Sequence, residues 1–388
     1  MTSTPFSSAR AARLAPSQIR AVSELGMTLP GVTPLWFGES AWPSSTMAVE
    51  AAVSALQQGD HFYQPNSGKS SLRDALCQYL ARCHGQTFER TRITVTASGM
   101  QGLALTAQAL IDPGDEVVCI DPAWPNMAEC FQIAGASMKR LALEVVDDRW
   151  SLDMNRLIDA VTSAVKVVII NSPSNPTGWV MPAEDQKALL EHCRRTGTWI
   201  VADDVYSRLY RHGDVAPGWL ALATPEDRLV SVNSFSKTWS MTGWRLGWIT
   251  APAELESTFA MLTEFNIAGP PGFIQHAGER MIIAGEPEVA LLRQRLQAGY
   301  ERVEDALNSL PGVRFVQPDG AFYCFFAVNG MRDSLEFARS LLHTARVGLA
   351  PGIAFGTAGE GYLRLCYAQP VELLDDALER LVVELRRV

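Results

Sequence analysis

The 388-residue sequence is short of several signals that would direct it to other classes of protein. It has no C-x-x-C pair, and its seven cysteines are scattered and odd in number. That excludes a disulfide framework or zinc ribbon and implies reduced thiols, as in a cytoplasmic protein. The six histidines have no ligand spacing, so no metal site is expected. No apolar run approaches the ~20 residues of a membrane span. The opening MTSTPFSSARAARLAPS lacks the apolar stretch of a secretory signal. Positive charge is scarce: 33 Lys and Arg against 42 Asp and Glu give a net charge of −9, which argues against nucleic acid or an anionic membrane as partner. No G-x-G-x-x-G opens a βαβ unit, which removes a dinucleotide-dependent dehydrogenase. The expectation is a cytoplasmic protein that handles small molecules.

What the sequence does contain is a strand–helix alternation that begins near residue 92. RITVTASG is a β-branched run ending at Gly99, and MQGLALTAQALI then takes helical periodicity. DPGD at 112–115 marks a turn before the strand-like EVVCID. VKVVII, TWIVAD and RLVSVNS are nearly continuous apolar runs separated by helical stretches such as PAEDQKALLEHCRRTG. Continuous apolar strands between helices predict a mostly parallel sheet covered on both faces. Beyond residue 280 a long amphipathic helix (about 287–310) leads to VRFVQPDGAFYCFFAV, which reads as antiparallel strands. The fold class expected is therefore α/β. A large domain over 46–280 is joined by a smaller α+β domain over 281–388, against which an N-terminal arm of residues 1–45 packs.

Polar clusters fall where these strands end, the place at which open α/β sheets gather ligand groups. Ser98, Gly99, Met100 and Gln101 open a helix whose free N–H groups suit a phosphate. NSPSNPTG (171–178) presents Asn175 in a Pro-bounded turn, and Asp203 is followed by Tyr206. After RLVSV come Ser234, Ser236, Lys237 and, eight residues beyond the lysine, Arg245 between Gly243 and Gly247. This segment holds no acidic residue, and burying its two cations without anionic partners would be costly. An anionic ligand is the natural partner.

The order of these clusters resembles the class I/II aminotransferases, enzymes of fold type I that depend on pyridoxal 5′-phosphate (PLP). The resemblance runs from LWFGES (35–40) to YLRLCYA (362–368) and rests chiefly on S-x-S-K-x-x-x-x-x-G-x-R-x-G at 234–247, N-P-T-G at 175–178 and D-x-x-Y at 203–206. It implies that Lys237 forms the Schiff base with PLP. Ser234, Ser236, Arg245 and the amides near Gly99, Met100 and Gln101 would hold the phosphate. Asp203 would pair with the pyridinium nitrogen, Asn175 and Tyr206 would contact the phenolic oxygen, and Trp124 would stack on the ring. Arg364, with Gly38 and Asn175, would grip the substrate carboxylate. Tyr63 would reach the cofactor phosphate of a neighbouring subunit, which implies a homodimer with shared sites. The sequence departs from the family in having Gly38-Glu39-Ser40 where Gly-Glu-Pro is common, and Trp239 where tyrosine is frequent.

The activity implied is transfer of an α-amino group from an amino acid to a 2-oxo acid through a pyridoxamine phosphate intermediate. A PLP-dependent lyase or oxidase on the same fold is the alternative, since fold and cofactor alone do not separate them. No Lys or Arg lies between Arg245 and Arg280, and Trp36, Phe37 and Trp42 flank Gly38, so an apolar or aromatic substrate side chain is expected.

Overall fold

The computed structural model describes residue 8 and residues 11–387; the remainder of the arm's first ten residues lies outside the described residues. Seven strands form the main sheet: β1 (Ile93–Thr96), β2 (Glu116–Asp121), β3 (Ser137–Ala142), β4 (Val165–Asn171), β5 (Trp199–Asp203), β6 (Leu229–Ser234) and β7 (Gly247–Thr250). Their order is β1-β7-β6-β5-β4-β2-β3. The pairs from β3 through β6 are parallel, whereas β7 runs antiparallel to both neighbours.

Successive side chains of a strand point to opposite faces, and here each face enters its own apolar core. Val118, Ile120, Val168, Ile170, Ile200 and Ala202 join one cluster. The alternate residues Val117, Cys119, Val167, Ile169, Val201 and Val232 join the other. Burial on both faces explains why these strands read as unbroken apolar runs. Helix α3 (Gly99–Leu110) covers the second face, its Leu103, Leu105 and Ala107 lying in the same core.

A second, antiparallel sheet is built from β8 (Val313–Arg314), β9 (Tyr323–Val328), β10 (Ala350–Pro351) and β11 (Tyr362–Cys366), in the order β8-β9-β11-β10. The amphipathic helix before it spans Glu286–Asn308. In the N-terminal segment, helix α1 (Gln18–Met27) is capped by the Ser17 side chain, and Thr33–Pro34 pairs in parallel with Val347–Gly348. The antiparallel sheet thereby turns β11 toward the carboxyl ends of the main strands, where Arg364 donates to Asn175.

Candidate active site

A cavity of about 330 Å³ opens at the carboxyl ends of β4, β5 and β6. Lys237 lies in a single helical turn (Phe235–Thr238) begun by Ser234, whose hydroxyl accepts from the Ser236 amide at 3.1 Å. Its Nζ donates to the carbonyl of Gly38 at 2.6 Å. Burial lowers the Lys237 ammonium to about 8, so that the neutral amine is accessible near physiological pH.

Asp203 ends β5 with 3% of its surface exposed. Burial pushes its carboxyl up to about 7, opposed by the Val205 amide, which donates to Oδ1 across 3.4 Å. The adjacent Asp204 is also raised by burial, to about 6, and accepts from the Ser231 hydroxyl at 2.5 Å. Asp203 has no ion-pair partner among the described residues. A nearly buried carboxylate so poorly neutralised would suit a ligand cation.

The anion cradle comes from two distant segments. Ser98 caps α3, accepting from the Gln101 amide at 3.1 Å, and takes the strained φ of +136°. Arg245 adopts a left-handed φ of +56°, an uncommon conformation for a bulky residue. Gly247 lets the two segments meet: a Cβ there would lie 2.7 Å from the Gly99 amide nitrogen and the Asn233 carbonyl. Gly99, Ser234, Ser236 and Arg245 all line the cavity, and the α3 N–H groups at this end are favourably placed for a phosphate.

On the opposite side Arg364 is 2% exposed. Its Nη1 donates to Asn175 Oδ1 at 2.8 Å and its Nη2 to the Trp36 carbonyl, while its buried Nε has no partner. An orphaned guanidinium donor is costly unless a ligand accepts from it.

Gly38, Met100, Trp124, Asn175, Asp203, Tyr206 and Lys237, all expected at the site, line the cavity. Gln101 does not: its side chain accepts from the Ala97 amide and donates to Asn266. Tyr63 is 91% exposed and lies outside this chain's own cavity. Of the three aromatic residues expected near the substrate, only Phe37 lines it. The Trp36 indole fills a notch where a Cβ on Gly348 would come within 1.9 Å of it, and Trp42 lies against Arg295 at 5.1 Å. Arg20 and Tyr323 also line the cavity, although no sequence motif marks either. Tyr323 sits in an aromatic strand that looks like ordinary core, and Arg20 in a helix that carries no motif.

These features define an enzyme of the PLP-dependent fold type I class. The family model for aminotransferase class I and II matches residues 34–381, and the chain belongs to that family. An aspartate aminotransferase of Pyrococcus horikoshii is 32% identical over 94% of this chain and 93% of its own length. An aromatic-amino-acid aminotransferase of Thermococcus litoralis is 30% identical over 94% and 95%. Among solved structures, a mutant aspartate aminotransferase of Thermus thermophilus superposes with a TM-score of 0.91 at 31% identity, covering 98% of this chain and 100% of that one. The protein is an amino-acid aminotransferase, and its family depends on PLP. The residues present fit that cofactor: an amine of lowered pKa, a buried carboxylate short of a cation, and an anion cradle at a helix start.

Proposed function

We propose that the cavity performs transamination with the following division of labour among its residues. Bound PLP supplies a carbonyl that condenses with amines and a conjugated ring that accepts the electrons of a bond broken at the substrate Cα. Asp203 holds the protonated ring nitrogen, and its field is weakly screened because it is buried. Ser234, Ser236, Arg245 and the Gly99 and Met100 amides hold the phosphate, and Trp124 covers the ring. Asn175 and Tyr206 meet the phenolic oxygen. Arg364 takes the substrate α-carboxylate with the Nε that is otherwise unpaired, and Gly38 lines the same cavity. Lys237 carries the cofactor, and its free neutral amine takes the proton from the substrate Cα. The observation that carries this reading is the Lys237 amine in one cavity with Asp203 and the unpaired Arg364 donor.

Ile19, Phe37 and Leu103 line the cavity, which supports an apolar or aromatic substrate side chain. A second reading, an acidic side chain, is favoured by Arg20, which lines the same cavity 5.8 Å from the Phe37 ring and has no ion-pair partner among the described residues.

We further propose that residues 46–280 form the large cofactor-holding domain, and that residues 1–45 and 281–388 make up the arm and the small domain. The division is supported by the two separate sheets. A homodimer is supported by exposed Phe62 and Tyr63, 74% and 91% accessible, beside the helix that carries Phe265, 84% accessible. Asn66 donates to Glu264 at 3.0 Å and ties this loop to that helix. Free thiols at all seven cysteines suit the cytoplasm. No described helix is long and apolar enough to cross a membrane.

Borohydride reduction followed by peptide mapping tests the central assignment. The reduced cofactor is expected on the peptide bearing Lys237, and Lys237→Ala is expected to lose both adduct and activity. An adduct on another lysine overturns it. Half-reaction rates across apolar, aromatic and acidic amino acids decide between the two side-chain readings.

A further inference from the structure

Tyr323 has its hydroxyl 2.6 Å from that of Tyr206, and the two share a hydrogen bond. It is fully buried on β9, 117 residues from its partner in sequence. Its ring is fixed on several sides. The Arg364 guanidinium lies 4.5 Å from its centroid, Phe322 lies 4.8 Å away, and the Tyr206 ring meets it edge-on at 5.7 Å. The chain also leaves room for the hydroxyl. A Cβ on Gly38 would lie 2.0 Å from the Tyr323 oxygen, so any other residue at 38 would displace it.

Burial raises both phenols above their ordinary value, so each keeps its proton. The pair therefore has two hydrogens for one shared bond, and the second must point elsewhere. A charge-assisted bond to an anionic oxygen is roughly twice as strong as a neutral one. On the reading above, Tyr206 contacts the phenolic oxygen of the cofactor, and the present inference rests on that reading. The anionic oxygen then claims the Tyr206 hydrogen, and Tyr206 Oη is left to accept from Tyr323.

We propose that Tyr323 is a positioning residue for Tyr206: its hydroxyl donates to Tyr206 Oη and so commits the Tyr206 hydrogen to the cofactor's ring oxygen. Chained hydroxyls polarise one another, so Tyr206 becomes the stronger donor. A stronger donor to the ring oxygen weakens that oxygen's hold on the proton of the Lys237–cofactor nitrogen. That proton then leaves at lower pH.

The test is a pH titration of the visible band of the holoenzyme without substrate, which reads that proton directly and not turnover. Tyr323→Phe is expected to raise the midpoint by about 0.5 to 1, the scale of one net hydrogen bond. Tyr206→Phe is expected to raise it further. The double variant is expected to match Tyr206→Phe alone, because Tyr323 acts through Tyr206. Gly38→Ala displaces the hydroxyl without deleting it and is expected to raise the midpoint as well, which keeps the test open should one variant fold poorly. An unchanged or lowered midpoint in Tyr323→Phe or Gly38→Ala overturns the proposal, as does a Tyr323→Phe shift that adds fully to that of Tyr206→Phe. If Tyr206→Phe itself leaves the midpoint unmoved, the assignment of Tyr206 falls and takes this inference with it.

Discussion

Arg364 donates from Nη1 to Asn175 Oδ1 across 2.8 Å, although 189 residues separate the two. One side chain comes from the antiparallel sheet and the other from the turn after β4. On the proposed assignment, the contact orients the guanidinium while its Nε, without a partner here, is left for the substrate carboxylate. Arg364→Lys keeps the charge and loses the planar fork. It is expected to cost about 3 kcal/mol, roughly two orders of magnitude in kcat/KM. Steady-state kinetics with the best amino donor checks this, and a change below threefold would remove Arg364 from the carboxylate site.

Asp203 makes a prediction about pH in the protein stripped of cofactor. Burial lifts its folded-state pKa from 3.8 to about 7, so between these values the folded protein holds a proton that the unfolded chain has released. The stability due to that proton is complete below about pH 4 and is lost as pH rises toward 7. Asn at this position does not titrate. Apo Asp203→Asn is therefore expected to melt with the wild type near pH 4 and above it at pH 8. Asp204 titrates in both proteins, and because its charge adds to the rise at Asp203 the gap reads Asp203 together with that coupling. Thermal unfolding followed by circular dichroism across this range is the measurement, and a gap that closes with rising pH contradicts it.

Gly247 permits the close passage of β7 past the start of α3. Adding a methyl group, in Gly247→Ala, places a carbon 2.7 Å from the Gly99 nitrogen. Overpacking of this kind costs about 1–3 kcal/mol. Because the crowded atom belongs to the proposed phosphate site, the loss is expected in cofactor affinity, one to two orders of magnitude in Kd. Fluorescence titration of apoprotein with PLP gives the answer. Unchanged affinity with a lowered Tm would make this glycine structural only.

The exposed surface around Phe265 predicts assembly. Wild-type protein is expected to sediment as a dimer, and Phe265→Glu to shift it toward monomer while weakening cofactor binding through loss of the partner's tyrosine. Sedimentation velocity distinguishes these states. A monomeric wild type would remove Tyr63 from the site.

How far the sequence disclosed this molecule depends on what each residue faces. β4, β5 and β6 were legible because burial on both faces demands apolar side chains at every position. β3 was not, since its Ser137, Lys139 and Arg140 belong to a sheet edge, and neither was β7, four residues long and reached through an irregular return. Lys237, Asp203, Asn175 and Arg245, which all line the cavity, stood out because Asp203 and Asn175 follow apolar strands and the two cations sit in a segment without an acidic residue. Gln101 follows Met100 at the helix start but does not line the cavity: its backbone amide donates to the Ser98 hydroxyl, and its side chain finds Asn266 and the Ala97 backbone. Trp36 and Trp42 misled because an aromatic side chain near a glycine can enter a cavity or a core, and composition does not choose between them. Tyr323 was hidden for the converse reason. Phe322, Phe325 and Phe326 surround it in sequence, and its hydroxyl's one revealing contact is long-range.

The antiparallel insertion of β7 between β1 and β6 has a consequence for how the chain is made. As a ribosome delivers the main sheet from its first strand onward, the two rows of backbone groups flanking that slot stay unpaired until residues 247–250 emerge. Chaperone occupancy of a nascent chain halted before that point should exceed that of one halted well after it, because a single short insertion seals both seams at once.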